Sequence, residues 1–287
     1  MSRLRSSRGT RRGRGLVFQL GLWLSLAVGF VTLGALLVQV FTKGLSRVDG
    51  KLLTEPPSFD PLIAGARPAI LATFWLMGIV FFLAVPVGIG TAIYLEEYAR
   101  KDRWYNRLLE VNIQNLAAVP SIVYGILGLA FIVRGLGLDR VVLAGGMILT
   151  LLVLPTVVIA SREALRAVPG SIREGAFALG ATQWQVVWRQ VLPAAIPGIA
   201  TGSILALSRA IGETAPLIMV GAVTYISFNP TLLGPFTALP IQIYSWTNLP
   251  QEEFRVLAAA AIVVLLVILL AMNSFAIFIR NRYQKRW

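Results

Sequence analysis

From Leu16 to Phe41 the chain runs 26 residues without a charge. At about 1.5 Å per residue, such a run in helical form spans the ~30 Å hydrocarbon core of a bilayer. Apolar stretches recur at Pro68–Leu95, Leu116–Val133, Val141–Ala160, Ala194–Val220 and Val256–Ile279. The pattern predicts an all-α, polytopic membrane protein with six transmembrane helices. Apolar residues make up 56% of the 287 and charged ones 14%, too few charges for an ordinary soluble domain at about 25%.

A basic head before an apolar run also describes a signal peptide. The Leu16–Phe41 run is longer than the roughly 7–15 residues of a signal-peptide core and no A-x-A site follows it, so it is read as a retained first helix. Neither Cys nor His occurs, which removes disulfide frameworks, Cys/His zinc sites, thiol nucleophiles and His-based proton transfer. No G-x-x-x-x-G-K-[ST] run is present, so nucleotide hydrolysis would belong to another chain. Nothing calls for a metal, a cofactor or an enzymatic activity.

The formal charge of +13 raises the question of nucleic acid, and its distribution answers it. Eighteen of the 26 Lys and Arg fall in residues 1–15, 96–110, 161–193 and 280–287. Seven fall in the three alternate loops, and Arg209 completes the set. The acids split evenly between the two sets of loops. That is the positive-inside pattern, with both termini cytoplasmic. The Arg-rich residues 1–15 are read first as a disordered topogenic tail, with a lipid or nucleic-acid arm as the other reading. Thr214–Gln251 is also uncharged, but Pro230, Pro235, Pro240 and Pro250 break it too often for a seventh span. Val223–Arg255 is therefore an outer loop, with Tyr244 and Trp246 suited to the interface. Within the second and fourth spans, Pro86, Gly88, Gly90 and Pro155 predict loosened or bent helices.

The segment 161–193 is the longest polar interruption of the second half. Pro169-Gly170 breaks the chain, and Ser171–Glu174 and Thr182–Gln185 each fit a capping box. Between them Gly180 can take the left-handed conformation that ends a helix. Two short helices joined by a glycine bend are expected, either resting on lipid or docking a partner. Glu174-Gly175-Ala176, three residues, Gly180, nine residues and Gln190-Val191-Leu192-Pro193 resemble the EAA–x3–G–x9–I–x–LP loop of ABC importer permeases. Gly175 stands for Ala and Gln190 for Ile. The resemblance implies a coupling helix docked in a cytoplasmic ATPase, with Ser171, Glu174, Ala176, Gly180, Leu192 and Pro193 forming or placing it.

Arg209 and Glu213 are the only charges inside an apolar stretch. Spaced four apart, they share a helix face. With a helix starting near Pro197 they lie about 18 and 24 Å along it, inside the hydrocarbon, where a charge costs roughly 2.5–3.5 kcal/mol. One reading is a salt bridge that fixes packing. The other is a translocation path, because the arginine fork offers paired donors to an oxyanion and stays charged. Gly212 would let another backbone approach, and Pro216 would open the helix. Ser121 and Tyr124 are further polar candidates along the path.

Ser208–Pro216 (SRAIGETAP), Val119–Gly125 (VPSIVYG) and Ala92–Ala99 (AIYLEEYA) resemble segments of the PstA family, permease subunits of bacterial phosphate importers. The likeness runs from about Ala69 to the C-terminus and matches residues 1–67 only in kind. It implies a basic tail at 1–15, a first helix and periplasmic loop at 16–67, a MetI-like permease core at 68–280 and a basic tail at 281–287. It further implies a bacterial inner-membrane location, a homologous second permease subunit (PstC-like), two ATPase subunits (PstB-like) and a periplasmic or extracellular phosphate-binding protein (PstS-like). An importer of another oxyanion, an ion-coupled carrier with Glu213 as its proton site, and a membrane scaffold remain as other readings.

Overall fold

A computed structural model of the protein describes residues 7–100, 102–223 and 225–283. Among those residues the secondary structure is helical, with no strand. α1 (Ser7–Gly44) starts inside the stretch expected as a tail. No proline interrupts Ser7–Gly15, and once a turn has formed each further residue adds a hydrogen bond. Residues 1–6 and 284–287 of the expected tails lie outside the described residues. After a single 3-10 turn at Leu45–Arg47 comes α2 (Gly50–Thr54). Asp49 caps it by accepting from the Leu52 N–H at 2.9 Å. That bond, with Arg47 nearby, holds the Asp49 carboxyl below its ordinary pKa.

α3 (Arg67–Ile93) runs unbroken through Pro86, Gly88 and Gly90 and ends in a π-helical turn, Tyr94–Tyr98. The expected loosening at Gly88 is absent for a packing reason. A Cβ there would come within 2.6 Å of Val157 Cγ1, so the glycine admits a neighbouring helix. α4 (Trp104–Ala117) occupies much of the expected 96–110 loop. α5 (Ser121–Gly128) continues as a π-helical turn, Leu129–Gly135. The two halves, Trp104–Ala117 and Ser121–Gly135, meet at 104°, so the expected straight third span at Leu116–Val133 is a bent pair. Pro120 causes the bend: it cannot donate to the α4 ladder and keeps the residue before it out of the helical region. Tyr124 then donates its hydroxyl to the Leu116 carbonyl (2.8 Å), closing the elbow.

α6 (Val142–Arg166) passes through Pro155 and continues beyond the expected end at Ala160. α7 (Gly170–Ala178) and α8 (Gln183–Val186) form the polar hairpin. α9 (Leu192–Gly212) and α10 (Ala215–Val220) are separated at Glu213-Thr214. α11 (Leu239–Thr247) lies within the expected outer loop, and α12 (Glu252–Tyr283) closes the chain. Trp246 is a core residue at 2% exposure, whereas Tyr244 is exposed. The interfacial role expected of Trp246 is thus replaced by packing beside Leu239 and Phe254. Among the described residues five helices are long and apolar enough to cross a membrane, or six with the bent pair counted as one span.

The core is built on α6, which packs on α3 along one side and α9 along the other. Leu76, Val80, Ile148, Leu149, Val153 and Phe236 are among its buried members. α1 lies outside this core and packs against α12. Between α6 and α9 the contact is made by small residues. A Cβ on Gly198 would lie 2.7 Å from Ala164 Cβ, and one on Gly202 would overlap Ala160 Cβ. In lipid, where apolar burial does not drive helices together, such close backbone packing supplies much of the attraction. Gly202→Ala is therefore expected to lower the stability of the purified protein by about 1–3 kcal/mol. Adding Ala160→Gly should recover part of that loss in a thermal unfolding measurement. Equal stability of Gly202→Ala and the unaltered protein would rule out this contact.

Candidate functional site

Pro169, with φ −55° and ψ 138°, sets the chain so that Gly170 already opens α7. Ser171 is consequently inside the helix, and no side-chain cap forms there. The expected Ser171–Glu174 capping box is therefore wrong, because the proline moves the helix start two residues too early for it. The second box is present. The Thr182 hydroxyl accepts from the Gln185 N–H, and the Gln185 side-chain oxygen accepts from the Thr182 N–H at 2.9 Å. Gly180 sits at φ +80°, in the left-handed region, and open space surrounds the place of a Cβ. Its N–H donates to Phe177 O (2.9 Å) and that of Ala181 to Ala176 O (3.1 Å), which ends α7 as expected.

On this hairpin Ser171, Glu174, Phe177 and Gly180 are exposed, and Leu179 is 90% exposed. Ala176 and Ile172 turn inward, against the cluster of Leu165, Val187 and Val191. The exposed apolar tip at Phe177 and Leu179 was missed in the sequence. Its signal was an apolar pair just before the helix-ending glycine.

The second helix of the hairpin does not stop at Leu192-Pro193. Through a π-helical turn at Val187–Val191, where the Leu192 N–H bonds to Val187 O, it fuses with α9. The result is one helical run, Gln183–Gly212, of 30 residues. Pro193 lacks a donor, and the wider π turn just before it absorbs that defect without a break.

At the far end of this run Arg209 Nε lies 3.2 Å from Glu213 Oε1. The expected shared helix face is corrected by the structure. α9 ends at Gly212, and Glu213 is extended (φ −74°, ψ 119°), so the ion pair bridges a helix break. The opening falls at Glu213-Thr214, before Pro216, which sits in the first turn of α10. The Arg209 side chain is 49% exposed and that of Glu213 17%. At Gly212 nothing in this chain lies within 4 Å of the place of a Cβ, so the backbone approach expected there does not come from this chain.

The other candidates pack beside the break. Tyr124 is buried in α5, within reach of the Arg209 charge. A Cβ on Gly125 would lie 2.7 Å from Pro216 Cα, so α5 and α10 touch backbone to backbone. Ser121 is half-buried at the start of α5. Ser208 lies 2.7 Å from Asn273 Oδ1 on α12, a partner not anticipated from the sequence. Among the described residues no three acidic side chains converge where a metal ion could sit.

A charged network ties the hairpin to the rest of the chain. Arg173 donates to Glu97 Oε1 (2.7 Å) and to the carbonyls of Val168 (2.8 Å) and Leu165 (2.9 Å). Gln183 donates to the Glu97 carbonyl. On the adjoining face Arg162 pairs with Glu110 (3.1 Å) and Glu96 (3.5 Å), and Arg166 with Glu96 (3.0 Å). The Arg162, Glu96 and Glu97 side chains are all below 10% exposed. In the sequence these residues counted only toward topology. The signal that pointed past that role was Glu97, within the Ala92–Ala99 run.

Residues 84–285 match the family described as binding-protein-dependent transport system inner membrane component. The phosphate transport system permease protein PstA 1 of Mycobacterium tuberculosis is 35% identical over 222 residues, covering 77% of this chain and 72% of that protein. PstA of Haemophilus influenzae is 31% identical over 258 residues, covering 88% and 89%. Among solved structures, a chain of a bacterial alginate ABC transporter aligns with a TM-score of 0.63 at 19% identity, covering 98% of this chain and 99% of that one. This last likeness is one of fold. The family match and these relatives lead to one conclusion: the chain belongs to the binding-protein-dependent transport system inner membrane components.

Proposed function

We propose that this chain is the transmembrane permease subunit of an ATP-driven importer of inorganic phosphate. The observation that carries the proposal is the single helical run Gln183–Gly212, with the hairpin at one end and a half-exposed arginine at a helix break at the other. In this reading the hairpin docks on a separate cytoplasmic ATPase through Ser171, Glu174, Phe177, Leu179 and Gly180. Ala176, Leu192 and Pro193 hold its shape from behind. Rigid-body movement of the hairpin during the ATPase cycle then reaches Arg209 along the helix.

Arg209 is the group that meets the anion. Its guanidinium has one carboxylate partner, and an arriving phosphate competes with Glu213 for it. Because Glu213 follows the helix end, its backbone can turn without unwinding α9. Charge-assisted bonds to a guanidinium favour an oxyanion, and exchange between two anionic partners keeps the affinity low enough for release. The open surface at Arg209 and Gly212 supports a pathway shared with a second, homologous permease subunit. Two ATPase subunits and an external phosphate-binding protein complete the assembly, in a bacterial inner membrane with both termini cytoplasmic. The phosphate permeases among the relatives favour phosphate over other oxyanions.

Replacing Arg209 by Gln is expected to cut ATP-dependent phosphate uptake by about tenfold or more, the loss of a charge-assisted bond of about 1.5–3 kcal/mol. Membrane level and ATPase association should persist. Uptake within twofold or so of the unaltered protein would remove Arg209 from the pathway. Gly180→Val forces a β-branched residue to φ +80° and should detach or uncouple the ATPase, whereas Gly180→Asn, which tolerates that region, should retain it. Co-purification and uptake at normal levels in Gly180→Val would end the coupling assignment.

A further inference from the structure

Beside α4, on the same face as the hairpin, lies a cavity of about 300 Å³ that the transport reading does not use. Arg100, Arg107, Arg162 and Arg166 line it with Asn106 and a single carboxylate, Glu110. Glu96 and Glu163 pair with Arg162 and Arg166 just outside the lining, so the positive excess is modest and is carried by Arg100 and Arg107. Arg162 is 7% exposed, and its Nε is buried without a hydrogen-bond partner. Asn106, 5% exposed, spends its amide N–H on the Arg100 carbonyl (2.9 Å) and keeps a buried, unpartnered Oδ1. Arg100 and Arg107 have no ion-pair partner among the described residues.

A buried donor and a buried acceptor left open in the lining of one cavity are costly unless something fills them. We propose that this cavity binds a phosphate-bearing anion that also carries a hydroxyl. The arginines take the phosphate oxygens, in the paired geometry guanidinium groups favour. Arg162 Nε supplies a desolvated donor, and Asn106 Oδ1 accepts from the hydroxyl. Two sources share this chemistry: the phosphoglycerol headgroup of an anionic lipid and monohydrogen phosphate itself. α4 presents exposed Trp104 and Tyr105 at its start and exposed Leu108, Leu109 and Val111 behind them, which sets the cavity at the level of lipid headgroups.

Occupancy has a structural consequence. The ligand competes with Glu96 and Glu110 for Arg162 and Arg166, and Glu96 adjoins Glu97, the residue that holds Arg173 of the hairpin. The site therefore acts on the support of the hairpin without touching the transport path. It does not rest on the identity of the transported anion.

The test uses the assembled transporter carrying Arg209→Gln, so that anion binding on the transport path is removed. After delipidation, phosphatidylglycerol or phosphatidylcholine is added and retained lipid is read by native mass spectrometry. In parallel, radiolabelled inorganic phosphate is measured by equilibrium dialysis. Either retained phosphatidylglycerol, without phosphatidylcholine, or bound phosphate supports the site and identifies its source. That binding should weaken about tenfold in Arg107→Gln and further in Arg100→Gln/Arg107→Gln, and return in part with Lys at both positions. Arg100 and Arg107 are exposed, so assembly should survive; the single Arg107→Gln variant serves if the double one does not assemble. Absence of binding by both probes, or equal binding with and without the arginines, overturns the proposal.

Discussion

Where α6 crosses α9, Gly198 and Gly202 face Ala164 and Ala160 with no longer side chain between the two backbones. Lipid tails are as apolar as leucine, so this approach is held by close packing and not by escape from water. The stretch of α6 that makes the contact has a second task. Ala160 and Ala164 lie on one side of the helix, and Arg162 and Arg166, two positions on, lie about 200° round on the other. One face holds the helical run that carries Arg209. The opposite face holds Glu96, within the π turn that follows α3, and Glu110 on α4. Larger residues at positions 160 or 164 would push α9 away from α6 and leave the charged network to hold the hairpin without that packing.

The charged network and the small-residue contact together decide what can move. Arg173 joins the hairpin to α3 and to the end of α6, while Gln183 joins the start of the long helix to the same Glu97. The hairpin is thus fastened on its inner side and bare on its outer side. Displacement of the hairpin must pass into the helix from Gln183 to Gly212. The π turn at Val187–Val191 interrupts the α-helical hydrogen-bond pattern of that run.

The apolar segments and the glycine bend were legible in the sequence, because each depends on local composition or on one backbone angle. The elements misread have a common cause in proline. Pro86 and Pro155 looked like weak points yet sit within unbroken helices, Pro155 buried among its neighbours and Pro86 on an exposed face. Pro120 instead makes a 104° elbow, and Pro169 shifts a helix start and cancels a capping box. A proline states that one hydrogen bond is missing; tertiary packing decides what the chain does about it. Trp246 and Gly88 show the same dependence. One was read as interfacial and the other as a hinge, and both are packed against helices far away in sequence. Pairing between Glu97 and Arg173, 76 residues apart, was likewise invisible to any local pattern.

The arginines of this chain differ most in how firmly they are held, and that difference separates structure from transport. Arg173 has a carboxylate and two carbonyls, and its side chain is 22% exposed. Arg162 has two carboxylates at 9% exposure. Removing one member of such a buried set costs about 3–5 kcal/mol, which ties these arginines to the structure. Arg209 has one carboxylate, which lies across a helix break, and half of its side chain is uncovered. An exposed pair of this kind is worth at most about 1 kcal/mol in water and is easily exchanged. A translocation site must be charged enough to draw its anion and loosely enough committed to exchange partners. Of the arginines with carboxylate partners between α3 and α10, Arg209 is the one with a single partner on a chain segment free to turn.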